Sequence, residues 1–278
     1  MSSAQVHAMR LGTRSRFAIA LTSLIGIIAF AWPLLAAPES SVVAHASDAP
    51  WLFAIIVPLL MLVLLAEISD GGMDAKSIAL LGVMAAVIAA LRPLGGGIAG
   101  LEPIWMVLIL GGRALGPGFG FSLGAISLFA SALLTGGVGP WLPFQMLGAA
   151  WVGLGAGLLP RVTGKRELAM LAAYGAAISL LYGMLMNLWF WPFVSGLPEQ
   201  IAFVAGSPVG ENLAHWLRFT LITSLGYDIP RAVLTVVLIL IAGKPVLLAL
   251  RRVSRKAAFE PAVTFIPQAS TQPEITRT

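Results

Sequence analysis

Arg92, Glu102, Gln145, Asn187, Glu211, Asp228 and Arg231 are the side chains of this 278-residue sequence best suited to hold a small polar molecule. Trp105, Trp141, Trp189, Phe190, Trp191 and Trp216 lie near them in the chain. Hydrogen-bonding groups between aromatic walls suit a planar, partly polar ligand. The same tryptophans also fit a belt at headgroup depth, where indole rings prefer to sit. Chemistry beyond binding finds little material. Cysteine is absent and His7, His45 and His215 are the only histidines, so no thiolate nucleophile or histidine-built metal centre is expected. Gly120-Phe121-Ser122-Leu123-Gly124 matches the G-x-S-x-G pattern, and His215 with Asp228 would complete a triad. That motif needs a strand-to-helix elbow, whereas here it opens an apolar helix. Neither an H-E-x-x-H pair nor a G-x-x-x-x-G-K-[ST] phosphate loop occurs, so no catalytic residues, metal or cofactor are expected and the chain does not hydrolyse ATP itself.

The elements that must position these residues follow from composition. Hydrophobic residues make up 58% and charged ones 10%, against about 25% charged in an average soluble domain. Mean hydropathy is +0.92. This excludes a soluble enzyme or nucleic-acid binder, despite a formal net charge of +5. The expected class is an all-α integral membrane protein. A spanning helix needs about 20 mostly apolar residues, and candidates fall at 17–36, 51–66, 77–91, 103–115, 118–134, 141–159, 168–191 and 229–250. The fourth is short, a brief span or half of a re-entrant pair. Residues 211–225 mix polar and apolar positions at helical spacing and read as a surface helix.

Lysine and arginine mark cytoplasmic loops. With the N-terminus inside, only Arg92, Arg218 and Arg231 of the 17 basic residues fall outside. Eight spans with both ends cytoplasmic follow, in the cell membrane. The apolar run at 17–36 is too long for a cleaved signal peptide, and Ala44-His45-Ala46 lies too far beyond its end. The chain divides into a basic N-terminus (1–16), two helices with a polar linker (17–74), a six-segment membrane core (75–256) and a Pro-, Ser- and Thr-containing tail (257–278) expected to be disordered. On this topology the polar residues named first converge on the outer half of the core. Ser122 and His215 fall on opposite sides.

Small residues recur at i, i+4 spacing, the pattern by which helices pack closely in lipid. Examples are Gly82/Ala86/Ala90 beside Ala85/Ala89, then Gly116/Gly120/Gly124, Ala149/Gly153/Gly157, and Gly175/Ser179/Gly183/Asn187. Most are expected to pack within the bundle.

The stretch ALLGVMAAVIAALRPLGGGIAGLE, followed by GPGFGFSLGAISLFASALLTGGVGPWLPFQMLGAAWVGLGAGLLP, resembles the substrate-specific (S) components of energy-coupling factor (ECF) transporters, especially actinobacterial ones. YGMLMNLWFWPF and TSLGYDIPRAVLTVVL continue the pattern, so the resemblance covers roughly residues 75–256. The two N-terminal helices, the short fourth segment and the longer 192–210 loop depart from it. The resemblance implies a six-helix S-component core preceded by two extra transmembrane helices. It also implies a non-enzymatic binder that captures a vitamin or vitamin precursor outside the cell. A transmembrane coupling subunit and two cytoplasmic ATPases would then drive import. In this family an alanine-x-x-x-alanine face on the first core helix docks the coupling subunit; here Ala85/Ala89 and Ala86/Ala90 are offered. The substrate positions it implies fall at 92–102, 145, 187–191 and 228–231; with Trp105 added from the aromatic set, the expected substrate residues are Arg92, Glu102, Trp105, Gln145, Asn187, Trp189, Trp191, Asp228 and Arg231. A cobalamin-type corrinoid is the first expected ligand, with thiamine- and riboflavin-like vitamins next.

The rival expectation is a stand-alone carrier or channel for a small nutrient. An ion-coupled carrier wants carboxylates at mid-membrane depth and often an inverted repeat. Glu67, Glu102 and Asp228 fall at segment ends and no repeat stands out, which favours a binder that draws its energy from partners.

Overall fold

A computed structural model describes residues 11–35, 56–69, 73, 75–95 and 100–258. The expected linker, the Ala44-His45-Ala46 site, most of the basic N-terminus and nearly all of the C-terminal tail lie outside the described residues. Among those described, the structure is all-helical: α1 (Thr13–Leu35), α2 (Ile56–Ser69), α3 (Ala75–Leu91), α4 (Ile104–Leu115), α5 (Pro117–Thr135), α6 (Leu142–Leu158), α7 (Lys165–Phe190), α8 (Val209–Thr223) and α9 (Leu225–Ala258). Short 3-10 turns extend α3 through Arg92–Gly95 and α7 through Trp191–Phe193. With those extensions, α1, α3, α5, α7 and α9 are long and apolar enough to cross a membrane. Their outer faces are apolar too: Ile241 is 74% exposed and Ile222 on α8 70%. Such a surface is stable only against lipid or another apolar partner.

The short fourth segment has a specific role. α4 has 12 residues, about 18 Å at 1.5 Å per residue, and leads straight into α5 through Gly116. That residue holds φ 109°, a conformation that disfavours any side chain. Beyond this turn the backbones of α4, α5 and α6 nearly touch. A Cβ on Gly112 or Gly120 would strike the Gly153 backbone, and one on Gly124 would strike Ala149. The Gly116/Gly120/Gly124 and Ala149/Gly153/Gly157 stripes therefore pack against each other inside the bundle.

α1 is keyed into the core rather than laid beside it. Trp151 Nε1 of α6 donates to Ser23 Oγ at 2.9 Å, and Phe30 meets Phe144 edge-on at 4.7 Å. Thr22 Oγ1 donates to the Leu59 carbonyl of α2 at 3.4 Å, joining the first two helices. The mixed polar and apolar segment at 211–225 is helical over most of its length, as α8, in contact with α7, α9 and α1. Its buried side is limited to Asn212, Phe219 and Thr220.

α9 begins at Leu225, earlier than the expected 229, and runs through Pro230, whose missing N–H costs one intrahelical bond, that to the Gly226 carbonyl. That shift places Asp228 within the helix, facing α7.

Candidate functional site

Arg231 is the hub of a buried polar group at one end of the bundle. Its Nη1 donates to Asp228 Oδ1 at 2.6 Å, one turn back on α9, and to the Ser179 carbonyl of α7 at 3.3 Å. Its Nε donates to Glu102 Oε2 at 3.0 Å, and Trp105 Nε1 donates to the same oxygen at 2.8 Å. The guanidinium lies 5.6 Å from the Tyr182 ring centre and 6.0 Å from that of Trp105, within cation–π range. Trp105 and Tyr182 themselves pack at 4.4 Å.

Backbone geometry fixes two of these charges. Glu102 follows Gly100, whose φ of 73° and close approach to the Tyr227 backbone leave no room for a Cβ. Asp228 sits against Gly183, at the position a side chain there would fill. About two turns earlier on the same stripe, Gly175 lies against Thr235 and Ile239 of α9. The Gly175/Ser179/Gly183/Asn187 row is thus the surface on which α7 receives α9.

Depth matters here. Ser179 is about 20 Å along α7 from Lys165 at 1.5 Å per residue. The Arg231 group therefore packs against the middle of α7, while Asp228 stands in the first turn of α9.

Above the group, toward the C-terminal end of α7, opens a cleft of about 390 Å³. Tyr182, Met186, Asn187 and Phe190 of α7, Val194 and Leu197 of the following loop, Phe219, Thr223 and Ser224, and Tyr227, Asp228 and Arg231 of α9 line it. Asn187 Nδ2 donates to Thr220 Oγ1 at 3.3 Å and to Ser224 Oγ. Its carbonyl oxygen and the second oxygen of Asp228 make none of these bonds. The loop is held in shape by Asn212, which donates to the Val204 carbonyl at 2.7 Å and accepts from its N–H at 3.2 Å. His215 Nδ1 lies 2.9 Å from the Ala202 carbonyl.

The expected site residues therefore separate. Asn187, Asp228 and Arg231 line the cleft, and Glu102 and Trp105 hold Arg231 from behind. Arg92 and Gln145 form a separate pair, Nη2 to Oε1 at 2.7 Å, that does not line it. Trp189 packs on Phe144 at 5.5 Å and Phe193 at 5.6 Å. Trp191 is fully buried and donates to the Ile201 carbonyl at 2.6 Å. Both indoles shape the α7 end without facing the cleft. Trp141 and Glu211 are exposed. Tyr182, Gly183, Thr223, Ser224 and Tyr227 were not singled out from sequence as ligand contacts. The Ser224/Asp228 spacing of four, with Arg231 three further on, is the helical signal for three of the lining residues.

On α3, Ala85 and Ala89 are buried within the protein, while Ala86 and Ala90 are exposed. Gly82, in line with the exposed pair, has nothing within 4 Å of a Cβ built on it. Ser122 is buried in α5.

At the opposite end, Glu167 of α7 joins α4 and α9. It accepts from Arg113 Nε at 2.7 Å and from Arg251 Nη2 at 2.5 Å and Nη1 at 3.1 Å. Arg113 also donates to the carbonyls of Leu159 at 2.9 Å and Val162 at 3.2 Å.

Fold and cleft together define an all-helical, multi-pass membrane protein with a polar recess between its helices. No family model matches the chain, and no curated protein or solved structure matches it.

Proposed function

We propose that this protein is the substrate-binding membrane subunit of an ECF-type importer. It captures a vitamin or vitamin precursor at the outer face of the cell membrane. A transmembrane coupling subunit and two ATPases drive uptake, and the chain catalyses no reaction itself. In this reading eight helices cross the bilayer, both termini are cytoplasmic, and α8 lies at the outer surface. The observation that carries it is the cleft, with Asn187 on its wall and the Asp228–Arg231 pair on its floor, at the end away from most of the basic residues.

A volume of about 390 Å³ lies in the range that accommodates small cofactors. It favours a ligand of thiamine or riboflavin size over a corrinoid, most of which would remain outside. Ala86 and Ala90, exposed on α3, are the pair of the four alanines open to a coupling subunit.

A second reading has a specific observation behind it. The buried Asp228 and Arg231, packed against the middle of α7, are the kind of intramembrane charge that proton-coupled carriers use. One experiment separates the two. The full chain is purified, its co-purifying small molecules are identified by mass spectrometry, and flux is measured in liposomes. Retention of one vitamin without turnover supports the binding subunit. Steady, ion-gradient-dependent flux by the isolated chain would establish the carrier instead.

A further inference from the structure

A second cleft, of about 240 Å³, lies at the other end of the bundle between α7 and α9. Lys165, Lys244 and Arg251 line it, with Glu167, Leu247 and Leu248. Glu167 is the one carboxylate among these groups, and Arg113 and Arg251 already engage it. The cleft therefore retains a net positive field, contributed by two exposed ammonium groups. α7 begins here behind Gly164 with no side-chain cap, and the carboxylate in its first turn, Glu167, is turned to Arg113 and Arg251, so the positive end of the helix dipole adds to that field.

The leucines decide the class of ligand. Leu247 is buried at the back, while Leu248 is 54% exposed on the outer side of α9. Lys244 stands two turns before Arg251 and is exposed, next to Gly243, which packs by Leu168. A lysine there reaches toward the interface and binds an anion well. A free phosphate would satisfy the cations and leave the leucines unused. A phospholipid satisfies both, with its phosphodiester against Lys165 and Lys244 and an acyl chain along Leu248.

We propose that this cleft is a binding site for the headgroup of an anionic phospholipid. It ties the α7 and α9 ends to the leaflet in which they sit. The proposal depends on the chain spanning a membrane and not on what the other cleft carries.

The test is native mass spectrometry of the full chain in detergent, titrated in parallel with phosphatidylglycerol, phosphatidylcholine and inorganic phosphate. The expected result is a retained phosphatidylglycerol adduct, little phosphatidylcholine and no competition by phosphate at equal concentration. Lys165→Gln and Lys244→Gln should each weaken the phosphatidylglycerol adduct about fivefold, as expected for one basic group near a charged surface. Both side chains are exposed, so an unchanged melting temperature certifies folding. Equal retention of the two lipids, full displacement by phosphate, or adducts indifferent to both substitutions would each overturn the proposal.

Discussion

The carboxylate of Asp228 occupies the space beside Gly183 where a side chain would begin, so α7 and α9 meet there through a charge rather than through packed methyl groups. Arg231 answers that charge at 2.6 Å and is itself held by Glu102. Gly183→Ala therefore acts on Asp228 directly, pushing it from Arg231 and into the cleft. Overpacking a tight contact of this kind costs about 1–3 kcal/mol. Gly183→Ala should lower the apparent melting temperature in detergent and weaken thiamine or riboflavin binding about tenfold. Gly210→Ala, at a position with open space around it, should change neither. Unchanged binding in Gly183→Ala, measured by isothermal titration, would remove Asp228 from the site.

Glu167 makes the opposite end depend on a single carboxylate. It is 3% exposed and is shared by arginines from α4 and α9. Removing one partner of a buried ion pair leaves the other charged and unanswered, at about 3–5 kcal/mol. Glu167→Gln should therefore destabilise the protein by that order, more than Arg251→Gln, because Arg113 would still hold Glu167 in the latter. Unfolding in mixed micelles followed by circular dichroism gives the comparison. Equal losses would mean that Arg113 is sustained by the Leu159 and Val162 carbonyls alone.

The helices were legible because apolar runs bounded by Gly, Pro and charge are a one-dimensional signal, and each expected segment overlaps a helix. What those helices turn toward one another was not. Asp228 and Gly183 are far apart in the chain, and their meeting depends on the rotation of two helices about their own axes. The aromatic run 189–191 shows the same limit. Successive helical residues point about 100° apart, so Phe190 reaches the cleft while Trp189 turns to Phe144 and Trp191 to the Ile201 carbonyl. Residue type identified these rings as a group, and helix geometry forbids them a common target. Glu167 carried no sequence signal beyond its neighbours Lys165 and Arg166, since both its arginines arrive from distant helices. Asp228 does stand at a segment end, in the first turn of α9, but that turn begins four residues before the apolar run.

The same 100° step divides the alanines of α3 and yields the sharpest test of assembly. Ala85 and Ala89 are 2% and 4% exposed, packed inside the chain. Ala86 and Ala90 continue the open line of Gly82 on the outer face. Close helix contact in lipid needs small residues at such spacing, and bulky ones would hold a partner helix away. Ala86→Leu with Ala90→Leu should therefore keep the melting temperature and vitamin binding of the parent. The same pair should abolish co-purification with the coupling subunit and ATP-driven uptake. Ala89→Leu should instead overpack the interior and cost about 1–3 kcal/mol of stability, with binding lost in proportion. Co-expression with the energising subunits, followed by pull-down and thermal melting of each variant, separates the outcomes. If the outward pair lowers stability as much as Ala89→Leu, or leaves the complex and uptake intact, this face does not dock a coupling subunit.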